Sequence, residues 1–107
     1  MRLIYINSNQ TYEVYTGGSI IMPTIRYPSF NIKNNGPATI RAINYWSPPF
    51  GSYNQYAFID ILPGETKFVQ KLPNPVYFYK VEVINLNNYL HAEVEITDFY
   101  PSPHPAL

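Results

Sequence analysis

Short runs rich in Val, Ile, Thr, Tyr and Phe, broken by clusters of Pro, Gly and Asn, recur along the chain at the spacing of a β-sandwich. Three of them alternate cleanly between apolar and polar positions. Tyr77, Tyr79, Val81 and Val83 share a side opposite Lys80 and Glu82, and Ala92, Val94 and Ile96 oppose His91, Glu93, Glu95 and Thr97. A third run sets Ala57, Ile59 and Ile61 against Asp60. Alternation with period two marks antiparallel strands that turn one face to a core and the other to water. Strands are predicted over residues 2–6, 11–15, 19–22, 29–33, 38–45, 56–62, 66–71, 76–84 and 91–98. The 11 prolines leave no window for a helix, and the longest proline-free gap, 76–100, is dense in β-branched and aromatic residues.

The joints between these runs have their own chemistry. Leu62-Pro-Gly-Glu65 places Pro second and Gly third, the pattern of a type II turn closing a hairpin. Asn34-Asn-Gly-Pro37 supplies residues that tolerate positive φ and then a proline that cannot continue a central ladder, and Asn85-Leu-Asn-Asn88 should turn the longest strand back into the last one. The expected fold is all-β: an antiparallel sandwich of jelly-roll-like topology, with Tyr79, Val81, Val83, Val94, Ile96, Ile59 and Ile61 in its core.

Two segments stand apart from that body. Residues 1–18 hold only Arg2 and Glu13 as charges and end in Gly17-Gly18, a flexible joint, so they are expected to form an N-terminal arm or connector before a sandwich over 19–100. The competing reading makes them two ordinary strands of the same sandwich. The tail, 101–107, has prolines at alternate positions, favouring polyproline II over a strand.

Composition narrows the function. Seven Lys and Arg balance seven Asp and Glu, leaving no basic field to hold a phosphate backbone, so nucleic acid is not an expected partner. Charged residues make up only 13% of the chain, about half the usual fraction, so its surface is largely neutral and suited to being covered. At 107 residues the chain has room for one core. The absence of cysteine excludes disulfides, thiolate metal sites and a cysteine nucleophile. No stretch approaches the roughly 20 apolar residues of a membrane span, and the apolar run after Met1 is too short for a secretory signal. The chain is expected to be cytosolic as made, or a mature form without its leader, and to act at an extracellular, cell or spore surface.

Candidate chemistry is sparse. His91 and the tail residue His104 would share a site only if the tail folded back, and Glu93, Glu95 and Asp98 are read as a solvated strand face rather than a cation site. There is no Asp-rich calcium loop or Gly-rich phosphate cradle, and no cofactor, metal or catalytic residue is expected. The loop from Trp46 to Tyr56 is long, aromatic and uncharged. Trp46, Phe50, Tyr53 and Tyr56 would offer stacking faces to a glycan, with Asn54 and Gln55 as hydrogen-bonding groups, making the protein a lectin-like module; the bland alternative is that Trp46 and Phe50 cap one end of the sandwich.

By exclusion, the leading expectation is a non-enzymatic subunit that polymerises with itself. The arm would add to a neighbour's sheet by β-augmentation through Leu3, Ile4, Tyr5, Ile6, Tyr12, Val14 and Tyr15, a head-to-tail contact that propagates into rings or filaments. A resemblance points the same way. Phe30-Asn-Ile-Lys-Asn-Asn-Gly-Pro-Ala-Thr-Ile-Arg41, Ile59-Asp-Ile-Leu-Pro-Gly-Glu-Thr-Lys-Phe-Val69 and Val81-Glu-Val-Ile-Asn85 together resemble the rhythm of the small jelly-roll subunits of bacterial endospore appendages and similar surface fibres, over residues 29–98. That resemblance implies an N-terminal connector between stacked subunits and lateral strand pairing. Connectors in that family typically carry cysteines for cross-linking, and this chain has none.

Overall fold

A computed structural model describes residues 1–101. Eight strands follow one another: β1 (Arg2–Ile6), β2 (Thr11–Gly18), β3 (Ser29–Pro37), β4 (Ile40–Ser47), β5 (Asn54–Ile61), β6 (Thr66–Val69), β7 (Phe78–Asn85) and β8 (Ala92–Phe99). They pair into two antiparallel four-stranded sheets, ordered β1-β8-β3-β6 and β2-β7-β4-β5. Strands next to each other in sequence mostly lie in opposite sheets, which is the double Greek-key winding of a jelly roll. The expected all-β sandwich is therefore the fold.

The core is the meeting of the two inner faces. Ile6, Phe30, Ile32, Ala92, Val94 and Ile96 from the first sheet face Val14, Ile40, Ala42, Ile61, Tyr79, Val81 and Val83 from the second. Six of the seven predicted core residues are there. Ile59 departs from the expectation and stays 36% exposed. The reason lies across the sandwich, where the eight residues of β5 are faced at the open edge by a β6 of only four.

The arm expected over residues 1–18 is instead part of the sandwich. β1 pairs with β8 and β2 with β7 of the same chain. Ile6 and Val14 are core residues, and Ile4, Tyr12 and Tyr15 pack against them. Arg2 fastens the two strands together: its guanidinium donates to the Val14 carbonyl at 3.0 Å and to Asp98 at 3.2 Å. Burying that apolar set within its own chain stabilises the fold by more than an exposed arm would. The strand predicted over 19–22 does not form. Its backbone finds no ladder beyond one bridge, Thr24 to Val76, and the stretch runs through bends at the surface. The Pro-rich tail falls outside the described residues from 102 onward.

The predicted turns are met in part: Asn34-Asn-Gly-Pro37, expected to end a strand, is a bulge within β3, whose pairing with β8 continues to Pro37 opposite Ala92 because that pairing does not need the missing proline donor. Gly64 has φ +89°, and Glu65 N–H donates to the Leu62 carbonyl at 3.0 Å, so the Pro-Gly turn forms, but β5 pairs with β4 and β6 with β3, and the turn carries the chain from one sheet to the other instead of closing the predicted hairpin. Asn34 and Asn85, both fully buried, organise the loops at that end of the sandwich. The Asn34 amide donates to the Ala38 and Ile61 carbonyls at 2.7 and 2.9 Å, and its oxygen accepts from Gly36 N–H at 2.8 Å. Asn85 ties the Ile6 and Leu90 carbonyls to Asn87 N–H in the same manner. Side-chain amides thus satisfy backbone groups that no strand reaches.

Candidate functional site

The aromatic loop does not assemble as one site, because its residues, from the end of β4, the connection and the start of β5, fall on opposite faces of the sheet. Trp46 and Tyr56 turn to the inner side, Trp46 packing on the core. Tyr53 lies on the outer side, where it meets Tyr45 edge-on with ring centroids 6.4 Å apart. Phe50 stands alone at the loop tip, 92% exposed, and Asn54 donates to the Ser52 carbonyl at 3.1 Å.

Two features result. The first is an open cleft of about 440 Å³ between the sheets along β5, walled by Tyr56, Ala57, Ile59, Val69 and Pro73, with Asn44, Gln70 and Lys71 as its polar members. It arises from the mismatch in length between β5 and β6. Its wall is built, not loose: Asn44 accepts from Ala57 N–H at 3.0 Å and its amide lies 3.3 Å from both the Gln70 carbonyl and the Tyr79 hydroxyl. Burial raises the Tyr79 hydroxyl above its ordinary range, partly offset by that bond to Asn44. A smaller cleft of about 180 Å³, lined by Trp46, Leu72, Asn74 and Val76, shares Tyr56 and Pro73 with the first and extends it toward the β6–β7 loop. Because β5 is an edge strand, its outward backbone groups have no partner strand among the described residues.

The second feature is on the outer face of the β2-β7-β4-β5 sheet. Lys80 lies over the rings of Tyr53 and Tyr45, 4.4 and 4.8 Å from their centroids, and 3.6 Å from Glu82. Burial first, and then the charge of Glu82, push the Tyr45 hydroxyl above its ordinary range; burial and then Glu13 do the same for Tyr53. Two phenols, an ammonium and carboxylates are therefore held together on a face the sequence did not single out. The signal was present as Tyr45 opposite Lys80 in the β4–β7 register, readable only once the pairing is known.

The remaining candidates are dispersed. His91 stacks on Tyr5 at 4.4 Å and approaches Glu93 at 3.3 Å, while Glu95 accepts from Asn35 at 2.9 Å and Asp98 is held by Arg2. These carboxylates each have a separate partner, and among the described residues no cluster has the make-up of a metal site. Of the residues proposed for subunit contact, Leu3 and Tyr5 are exposed, while Ile4, Ile6, Tyr12, Val14 and Tyr15 face their own core.

A family model described as PirA-like matches residues 1–95. Among solved structures, the crystal structure of PirA superposes with a TM-score of 0.78 at 23% identity, covering 94% of this chain and 92% of that one. No curated relative matches. The family found is thus a small all-β one, and the match does not extend to the endospore-appendage subunits specifically; the Pro-Gly turn behind that resemblance belongs to sandwiches generally.

Proposed function

The chain belongs to the PirA-like family, and on that premise we propose that it is a toxin subunit which works by binding a second protein chain. The observation that supports this most is the apolar cleft along β5, where an edge strand and uncovered inward-facing side chains lie side by side. An extended segment of a partner would pair with the free edge of β5 and set alternate side chains against Tyr56, Ala57 and Ile59. The largely neutral composition suits a surface that is covered in use.

The test is capture on immobilised protein from the cells that make it, followed by the mass of the purified complex. A complex with one different chain, lost in Ile59→Arg while the circular dichroism of that variant stays unchanged, is the expected result. A complex containing only copies of this chain would replace the proposal with self-assembly. A glycan is a second reading, favoured by the Tyr45, Tyr53, Lys80 and Glu82 face, which combines stacking rings with charged hydrogen-bonding groups. Glycan-array binding that disappears in Tyr53→Ala would favour it.

A further inference from the structure

The jelly-roll winding brings the β2–β3, β4–β5 and β6–β7 loops to one end of the sandwich, away from the turns organised by Asn34 and Asn85. The first of these loops is held at both feet. Ser19 N–H donates to the Tyr77 carbonyl at 2.9 Å, and Thr24 and Val76 exchange backbone bonds at 3.1 Å. Between those anchors Ile20, Ile21 and Met22 stand 53, 86 and 68% exposed, three large apolar side chains in succession, with Ile25 a little further on. Single exposed apolar residues are ordinary, whereas a contiguous run on an anchored knuckle is not.

The β4–β5 loop adds an independent observation. Phe50 has φ +60°, a conformation costly for a bulky side chain, and is nevertheless almost entirely in solvent. A turn fixes it there: Gly51 N–H donates to the Pro48 carbonyl at 3.3 Å, and the Ser47 hydroxyl lies 2.8 Å from that carbonyl and 3.2 Å from that of Gly51. The backbone is thus set in a strained form that presents a ring outward.

The three loops carry charge of one sign, and the carboxylate at their foot, Asp98 of β8, is paired with Arg2 at 3.2 Å. Arg26 and Lys71 are the charged side chains of the three loops, and no acidic residue occurs between Glu13 and Asp60. Apolar loop tips with cationic neighbours and no acidic residue among the loops are the composition of a surface that enters the headgroup layer of an anionic bilayer, where acyl chains take the apolar groups and phosphates the positive charge. We propose that this end of the sandwich seats on an anionic lipid bilayer, with Ile20, Ile21, Met22 and Phe50 entering the interface. The four entering side chains do not line the β5 cleft, which this end meets only at Lys71 and the β6–β7 loop, and their contact does not depend on a partner chain binding there.

Flotation of the purified protein with large unilamellar vesicles tests it. Binding is expected to vesicles of phosphatidylcholine containing a minority of phosphatidylserine, and to be weaker by about fivefold for each cationic residue engaged when phosphatidylcholine is used alone. Combined Ile20→Ser, Ile21→Ser and Met22→Ser should reduce binding by tenfold or more on the order expected for withdrawing buried apolar side chains, with circular dichroism and melting unchanged. Phe50→Ser should weaken binding by a smaller factor, and Ile59→Arg should float like the parent, which separates this contact from the cleft. Failure of the parent to float with either vesicle overturns the proposal, as does a triple variant that floats as well as the parent. If sedimentation shows a dimer that the triple variant dissociates, and vesicles bind neither, the loops are a contact between copies and the lipid assignment is wrong.

Discussion

Replacing Asn34 by Asp changes one atom of a fully buried side chain and leaves its shape intact. The carboxyl can still accept from Gly36 N–H, but it loses the amide that donates to the Ala38 and Ile61 carbonyls, 2.7 and 2.9 Å away. Two buried carbonyls then lack a donor and face negative charge. At about 1–3 kcal/mol for each unsatisfied group, the substitution should cost about 2–6 kcal/mol, a large share of a typical total stability of about 5–15 kcal/mol. The cost carries a pH signature. Burial and the two carbonyls would raise the folded-state pKa of the new carboxyl above its unfolded value. Such a group is protonated in the folded state at low pH, so the penalty is smallest below the ordinary carboxylate pKa of about 4 and grows as pH rises through the folded value. Urea unfolding followed by Trp46 fluorescence should show a lowered midpoint with an unchanged slope, the loss being greater at neutral than at acidic pH. A variant within about 0.5 kcal/mol of the parent at neutral pH, or one whose deficit shrinks as pH rises, would refute the bridging role given to Asn34.

Other outcomes follow from the same geometry. Deleting residues 1–16 removes Ile6 and Val14 from the core and strips β8 and β7 of their outer partners, so the shortened chain should be insoluble or lack a cooperative melt; a β spectrum with cooperative melting would restore the separable arm. Val83→Asp places an unpaired carboxylate at a fully buried position and should abolish folding, seen as loss of the β signal in circular dichroism. Ile59→Arg, at an exposed position of an edge strand, should shift stability by less than about 1 kcal/mol in urea unfolding. Burial raises Tyr15, Tyr27 and Tyr79 above their usual pKa. Each contributes stability fully present below pH about 10 that is lost as pH rises through the folded value. An ultraviolet titration should accordingly show a late group of phenols ionising together with unfolding, whereas a single wave at the free-tyrosine pKa would contradict their burial.

Strand alternation carried much of this fold. β7 alternates over its whole length and β8 as far as Thr97 because each sits inside a sheet with one face covered, and their residues could be assigned to sides directly. The Pro-Gly turn was equally legible, since its φ requirement is local, whereas the hairpin read from it does not form, because the turn joins strands of two different sheets. Ile59 was misassigned because its burial depends on the length of β6, which the pattern along β5 does not encode. Residues 19–22 have strand-forming side chains but no ladder partner, and tertiary context overrode propensity. Asparagine misled most. The sequence marks Asn34 and Asn85 only as turn residues and does not single out Asn44, yet all three are buried connectors whose role appears only with the carbonyls they meet. The outer face of Tyr45, Tyr53, Lys80 and Glu82 was hidden for a similar cause, its members coming from a loop and two strands far apart in sequence.

The hydrogen bond from Gly36 N–H to the Asn34 oxygen also bears on chemical ageing. An asparagine followed by glycine, as in Asn35-Gly36, is prone to deamidate when the glycine nitrogen attacks the neighbouring side-chain carbonyl and closes a succinimide ring. Here that nitrogen is buried and its proton is held at 2.8 Å by Asn34, while the Asn35 amide donates to Glu95 at 2.9 Å. Both partners of the cyclisation are occupied and held apart by the fold. Loss of ammonia at this site should therefore keep time with unfolding of the β3–β4 corner rather than with storage of the native protein.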